Sequence, residues 1–98
     1  MNELQLLDNG EPIDTVDFGR PETGTSNIMT LYLRNKSQYW PIKNIRLVGI
    51  KDEDLTIEYP KSLKPADTQP VIISWKPKFE RRKPLETNNL FTGDLEIG

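Results

Sequence analysis

Apolar and polar residues alternate in several short runs along the chain, and a spacing of two is the periodicity of a β-strand with one buried face. The clearest run covers residues 27–35, where Met29, Leu31 and Leu33 share one face and Tyr32 lies on the other. The same alternation predicts further strands over residues 3–7, 13–18, 42–50, 55–59, 71–76 and 90–97. No stretch carries a persuasive helical period, so the pattern predicts an all-β chain.

The segments between these runs carry residues that turn or stop a strand. Asn9-Gly10 is a turn signal, residues 61–70 form a loop with Leu63 turned inward, and residues 77–89 form a long polar connection. About seven short strands separated by such turns are typical of a sandwich or barrel. With 98 residues, the chain has the length of a single domain, residues 1–98.

The inward-facing positions of the predicted strands define the expected core. Its members are Phe18, Met29, Leu31, Leu33, Ile45, Leu47, Leu55, Ile57, Tyr59, Leu63, Val71, Ile73, Trp75, Leu95 and Ile97.

Composition narrows the chemistry of the domain. The chain has no cysteine, which excludes disulfides, thiolate metal sites and a Cys nucleophile, and no histidine, the commonest general base and zinc ligand. Its net charge of −2 argues against a nucleic-acid binder. The N-terminus lacks the pattern of a signal peptide, and no apolar run is long enough to span a bilayer, so we expect no secretion by that route and no membrane partner.

A set of short motifs resembles a known domain type. The motifs are Val16-Asp17-Phe18-Gly19, Gly24-Thr25, Leu31-Tyr32-Leu33-Arg34-Asn35, Leu63-Lys64-Pro65, Ile73-Ser74-Trp75-Lys76-Pro77 and Leu95-Glu96-Ile97. Their order is similar to that in immunoglobulin-like domains of the abnormal-spindle (ASH) and major-sperm-protein type, which also occur in small virion proteins of tailed phages. The resemblance implies an immunoglobulin-like sandwich of about seven antiparallel strands.

The resemblance also implies a binding or assembly role, without fixing the partner. Asn35 is expected to bond the backbone of the turn that follows its strand. One departure concerns the loop after Leu63, where Ala66-Asp67 stands in place of a frequent glycine.

Two surface features are candidate partner-binding sites. The first is the basic segment that contains Lys76, Lys78, Phe79, Arg81, Arg82 and Lys83. It could contact phosphate or an acidic protein surface, and the alternative, which we favour, is a solvated loop. The second is the aromatic pair Tyr39 and Trp40, which is either an exposed anchor or a loop-packing element.

Other candidates have simpler explanations. The acidic turn at residues 52–54 could ligate calcium, but a solvated turn is favoured. The glycosylation pattern at residues 35–37 is interpreted as a chance match in a chain without a signal peptide. The serines have no histidine partner and no glycine-rich phosphate loop occurs, so no enzyme, cofactor or metal is expected.

We therefore expect a non-enzymatic protein that docks on a larger assembly, as a phage capsid decoration or tail-associated component. Its partners would be capsid or tail subunits, or further copies of itself, and it would reside in the virion or in the cytoplasm of the producing cell. The alternative is a cellular adaptor that binds peptides or cytoskeletal partners by adding a strand to a sheet edge. A third hypothesis, a small hydrolase or lectin, requires a binding pocket that the sequence does not indicate.

Overall fold

Antiparallel strands and their connections make up the part of the chain that the structure describes. The computed structural model describes residues 3–17, 24, 26–48, 54–76, 86–88 and 90–98. The strands are β1 (Leu4–Asp8), β2 (Glu11–Ile13), β3 (Thr15–Asp17), β4 (Asn27–Asn35), β5 (Ile42–Leu47), β6 (Leu55–Glu58), β7 (Thr68–Trp75), β8 (Glu86–Asn88) and β9 (Phe91–Leu95). Over these ranges the all-β prediction is confirmed.

The largest sheet has five strands in the order β2-β1-β4-β7-β6. Its centre is β4, which pairs with β1 on one side and, from Asn27 to Arg34, with β7 on the other. The alternation predicted for β4 is seen in its burial, since Leu31 and Leu33 are enclosed while Tyr32 and Arg34 are exposed. This strand therefore has one face in the core and one face in solvent.

A tight hairpin joins β1 to β2 at the predicted Asn9-Gly10 turn. Both residues have positive φ, 53° and 81°, as a two-residue type I′ loop requires. The turn sets Asp8 opposite Glu11 and thereby fixes the register of the hairpin.

The single strand predicted over residues 13–18 is wrong, because the chain changes sheet at Asp14. Ile13 pairs with Leu6 in the large sheet, whereas Thr15–Asp17 pairs with β8. The spacing of three between the apolar residues Ile13 and Val16 reflects this break.

A second layer consists of β5 and β9, with residues 61–63 along the other side of β5. Leu63 and Ile42 exchange backbone hydrogen bonds of 2.8 and 2.9 Å, and the Ile45 N–H donates to Lys61 O at 2.9 Å. Apolar residues of this layer and of the five-stranded sheet join in one core cluster, so the arrangement is sandwich-like.

A β-bulge in β5 shapes this layer. Lys43 lies opposite Asp94 and Arg46 opposite Thr92, so Asn44 and Ile45 together face Gly93. Asn44 takes a positive φ of 53°, a conformation that asparagine tolerates better than most residues. The extra residue turns both Ile42 and Ile45 into the core, although their spacing is three.

The core prediction is confirmed for residues on β4, β5, β7 and the 61–63 segment: Leu31, Leu33, Ile45, Leu63, Val71, Ile73 and Trp75 are buried. Others are only partly buried and pack around this cluster: Met29, Leu47, Leu55, Ile57, Tyr59 and Leu95. Ile97 was expected inside but is 70% exposed, because β9 ends at Leu95. Phe18 lies outside the described residues. The buried residues Val16, Ile42 and Leu90 were not among the predicted core residues.

The described ranges hold more strands than the about seven expected. The added ones are short, and β8 falls within residues 77–89, where only a polar connection was predicted. The described residues contain no helix that is long and apolar enough to cross a membrane.

Gly93 marks the closest approach of β9 to the bulged strand, which gives a first prediction. A Cβ at this position would lie 2.6 Å from Ile42 Cγ2 and 3.1 Å from Ile45 Cγ1. Because both isoleucines are enclosed, Gly93→Ala should lower the free energy of unfolding by roughly 1–3 kcal/mol in urea denaturation.

Gly98→Ala is the matched control for this substitution, since a Cβ at Gly98 meets nothing within 4 Å. Equal stability of the two variants would contradict this account of the β5–β9 contact.

Candidate partner-binding turn

Asn35, the last residue of β4, is fully buried and organises the turn that follows it. Its Oδ1 accepts a hydrogen bond from the Ser37 N–H at 2.9 Å. Its Nδ2 donates to Trp40 O at 2.8 Å and to Lys64 O at 3.1 Å. Both amide protons are therefore used, and the orientation of the amide is fixed by its partners. One side chain closes residues 35–40 and ties them to the segment that follows Leu63.

Ser37 adds a second set of bonds within the same turn. Its Oγ accepts from the Trp40 N–H at 3.0 Å and from the Tyr39 N–H at 3.4 Å. Its carbonyl oxygen accepts from the Ala66 N–H at 2.8 Å, and the Asn35 N–H donates to Asp67 O at 2.9 Å. The backbone that carries Tyr39 is therefore held from within the turn and from the neighbouring loop.

The neighbouring loop is itself a tight turn. The Asp67 N–H donates to Lys64 O at 3.1 Å, Pro65 occupies the second position, and Ala66 occupies the third with a φ of 60°. Proline followed by a residue of positive φ is the type II arrangement, which normally has glycine third. The frequent glycine that this chain lacks would therefore fit the backbone at Ala66.

The turn presents one large aromatic side chain to solvent. Tyr39 is 78% exposed, whereas the adjacent Trp40 is half-buried. Lys36 and Lys64, on the two interlocked loops, are exposed as well. We call residues 35–40 with their exposed Tyr39 the Tyr39 turn. A phenol ring beside ammonium groups suits contact with an acidic, partly apolar protein surface.

The described residues of the two candidate sites, Lys76 of the basic segment and the pair Tyr39 and Trp40, do not come together. Lys76 follows β7, beside the start of β4, while Tyr39 follows the end of β4. The length of β4 separates them, about 27 Å at 3.3–3.4 Å per residue. Lys76 is exposed, and Lys78, Phe79, Arg81, Arg82 and Lys83 lie outside the described residues.

Sequence reasoning missed part of this site. It gave Asn35 a role in its own turn, which the bond to Ser37 confirms, but not the tie to Lys64. The signal was available, since Asn35 is in phase with Leu31 and Leu33 on the inner face of β4. The glycosylation pattern at residues 35–37 is therefore structural, because in the folded domain the Asn35 amide is enclosed and fully bonded.

The described residues offer little for metal binding or catalysis. Among them, no group of three or more acidic side chains could hold a metal ion. Of the acidic turn, Asp54 alone is described. An open cleft of about 260 Å³ lies beside β1, β2 and the start of β9, and the charged residues that line it within the described ranges are Asp14 and Lys36.

The structure thus defines a small all-β domain of sandwich-like build that presents an aromatic residue on a firmly bonded turn. Comparison of the chain with protein-family models, curated proteins and solved structures found no match.

The buried amide of Asn35 gives a second prediction. Asn35→Asp keeps the acceptor for Ser37 but places an oxygen against the carbonyl groups of Trp40 and Lys64. Two carbonyl groups then lose their donor and face a buried carboxylate, so the free energy of unfolding should fall by about 3 kcal/mol or more. Chemical denaturation at neutral pH measures this loss.

Asn9→Asp is the control, because it introduces the same charge at an exposed turn where φ is positive and aspartate is tolerated. A loss at Asn35→Asp no larger than at Asn9→Asp would show that the amide does not hold the turn.

Ala66 gives a third prediction, of the opposite sign. A left-handed conformation costs a non-glycine residue roughly 1–2 kcal/mol, which glycine avoids. Glycine also makes the unfolded chain more flexible, and this opposing effect costs about 0.4–1 kcal/mol of stability. Ala66→Gly should therefore stabilise the domain by about 0.5–1 kcal/mol, measured as a higher melting temperature.

Ser62→Gly serves as the comparison, because Ser62 is exposed and is not among the described residues of positive φ. It should lower the melting temperature. A decrease for both variants would contradict the type II assignment.

Proposed function

We propose that this chain is a non-enzymatic docking domain of the immunoglobulin-like type, which binds a partner protein through the Tyr39 turn. The observation that carries the proposal is the contrast at this turn: Tyr39 is 78% exposed on a backbone held by the enclosed side chains of Asn35 and Ser37. These hydrogen bonds fix the position of a ring that contributes little to the core, which is the arrangement expected of a residue that contacts a partner.

The physical advantage of this arrangement is preorganisation. Binding a mobile loop requires that the loop be ordered, which weakens affinity, whereas a turn already fixed by hydrogen bonds avoids most of that loss. Tyrosine is enriched among residues that dominate interface energies and loses little entropy when it is fixed. The expected partner surface is a pocket for a phenol ring with an acidic rim that faces Lys36 and Lys64.

The larger assembly that we propose is a phage particle, on which the chain would be a capsid decoration or tail-associated component. The support is the resemblance to immunoglobulin-like domains of virion proteins, together with a small domain that offers one compact contact. On a particle with many identical sites, repeated weak contacts add up to firm attachment.

The adaptor alternative, strand addition at a sheet edge, has less support at the β2 edge of the five-stranded sheet. In the β1–β2 hairpin the pair Asp8–Glu11 closes the two-residue loop, so Leu7–Pro12 is a pair without mutual hydrogen bonds. The nitrogen of Pro12 therefore faces outward from the edge, where it has no proton to donate. An added strand would lack a bond at this edge position.

Tyr39→Ala tests the proposed contact and is our fourth prediction. A photo-crosslinking residue at position 39, introduced in the producing cell, should give one defined adduct, and the same residue at exposed Glu11 should not. The protein identified in this adduct, purified by itself, should then bind Tyr39→Ala at least about 30-fold more weakly than it binds the wild type. This is the loss in affinity expected for a hot spot of about 2 kcal/mol.

Tyr39→Phe separates the ring from its hydroxyl and should retain most of the affinity. The melting temperature of Tyr39→Ala should stay close to that of the wild type, because the side chain is exposed. Unchanged binding by Tyr39→Ala would exclude the Tyr39 turn as the contact. Absence of the chain from gradient-purified particles would exclude the virion role.

A further inference from the structure

The face of the five-stranded sheet that points away from the core carries an apolar band. Paired residues in neighbouring strands present their side chains on the same face, so the register defines rows across the sheet. One row crosses four strands and is entirely apolar or aromatic: Pro12, Leu7, Tyr32 and Pro70. Ile72 lies in the next row of this face and Ile28 in the one after it.

These side chains are accessible. Ile28 is 72% exposed, Tyr32 44% and Ile72 38%, while Leu7 is half-buried. Scattered apolar residues on a surface are normal, but a group of them on one sheet face, here with Thr30 and Ser74 among them, indicates an interaction surface. We call this group, with the rows that flank it, the outer face.

The charges of the outer face are arranged in a way that indicates its occupant. Arg34 lies in the row beyond Tyr32, and Glu58 lies beside Ile72 on β6. The two residues are two strands and four positions apart, about 16 Å, which is too far for an ion pair with each other. The apolar band is therefore flanked by a positive charge beside Tyr32 and by a negative charge beside Ile72.

A face of this kind is complementary to itself. Consider two copies placed face to face and related by a two-fold axis that lies in the plane of contact. An axis that passes midway between Arg34 and Glu58, perpendicular to the line that joins them, places each of these residues over the other in the second copy. Each Arg34 then meets the Glu58 of the other copy, and Tyr32 lies over the other copy's Ile72. Contacts made in pairs around a two-fold axis are the geometry of a symmetric dimer.

We propose that the outer face binds a second copy of this chain, face to face, as a weak symmetric dimer. The band spans three strand spacings by four residues, from Tyr32 to Ile28, about 14 Å by 13 Å. With both copies counted, its area falls below the roughly 1,200 Å² of stable interfaces, so the dimer is transient at low concentration. This inference does not rest on the Tyr39 turn, which lies beyond the end of β4.

The test is sedimentation equilibrium over a concentration series from about 10 μM to about 1 mM, where weak dimers form. The apparent mass of the wild type should rise from 11.3 kDa towards twice that value. Tyr32→Ser should remain monomeric throughout. Tyr39→Ala should dimerise like the wild type, so that failure of the docking proposal and failure of this one give different results.

Charge reversal tests the register of the two copies. Arg34→Glu and Glu58→Lys should each weaken dimerisation about tenfold or more, because each sets like charges against one another. The double variant should recover to within about threefold of the wild type, since the attraction is restored with reversed sign. Lys43→Glu, at an exposed residue of β5, changes the net charge as Arg34→Glu does and should leave the dimer unaffected.

A chain that stays monomeric at every concentration overturns the proposal. This is also the result expected if the outer face binds a different protein. A dimer that tolerates Tyr32→Ser, or single reversals whose effects add in the double variant, also overturns it. Melting curves of each variant confirm that the compared proteins are folded.

Discussion

The buried amide of Asn35 is the interaction on which the shape of this surface depends. A polar side chain inside a small core is costly unless all its groups are bonded, and here the neighbours of Asn35 supply one donor and two acceptors. These partners belong to two different loops, so the amide joins the end of β4 to the loop before β7. Apolar packing could enclose the same volume, but it has no directional preference and would not fix the angle at which Tyr39 leaves the domain. The hydrogen bonds supply that direction, which gives the exposed ring a defined position.

The second layer depends on a different constraint, the bulge at Asn44. One extra residue turns Ile42 and Ile45 towards the same side, and the absence of a side chain at Gly93 lets β9 lie against them. On the outside of the bulge, Asn44 Nδ2 donates to Asp94 Oδ2 at 3.1 Å, and Arg46 lies 3.6 Å from the other oxygen of that carboxylate. Both side chains of the Arg46–Asp94 pair are about half exposed, so it adds little stability by itself and mainly favours the bulged register.

The sequence predicted the parts of this fold that follow from a strict period of two. Residues 27–35 alternate without interruption, and the strand, its inner face and its solvent face are found as expected. Where the backbone departs from regular pairing, the pattern fails, and so Ile42 was missed beside the bulge and Ile97 was expected inside although β9 ends before it. The candidate site divides in the same way. Tyr39 could be named as an aromatic outside any period, but the bonds that position it connect residues 35–40 with residues 64–67, and a local pattern contains no information about which loops will meet.

Strand β4 links the two proposed surfaces of the domain. Its outward residues Tyr32 and Arg34 belong to the outer face, and its last residue holds the Tyr39 turn. Because the end of β4 that carries these residues is paired with β1 on one side and with β7 on the other, the distance between these surfaces is set by a strand in the middle of a sheet and not by a flexible connection. A symmetric dimer built on the outer face would therefore carry two Tyr39 turns at a fixed separation. Two linked contacts strengthen attachment only when their spacing matches that of the sites they meet. A rigid spacing would thus select regularly repeated partner surfaces over isolated ones, which is the property required of a component that attaches to an ordered assembly.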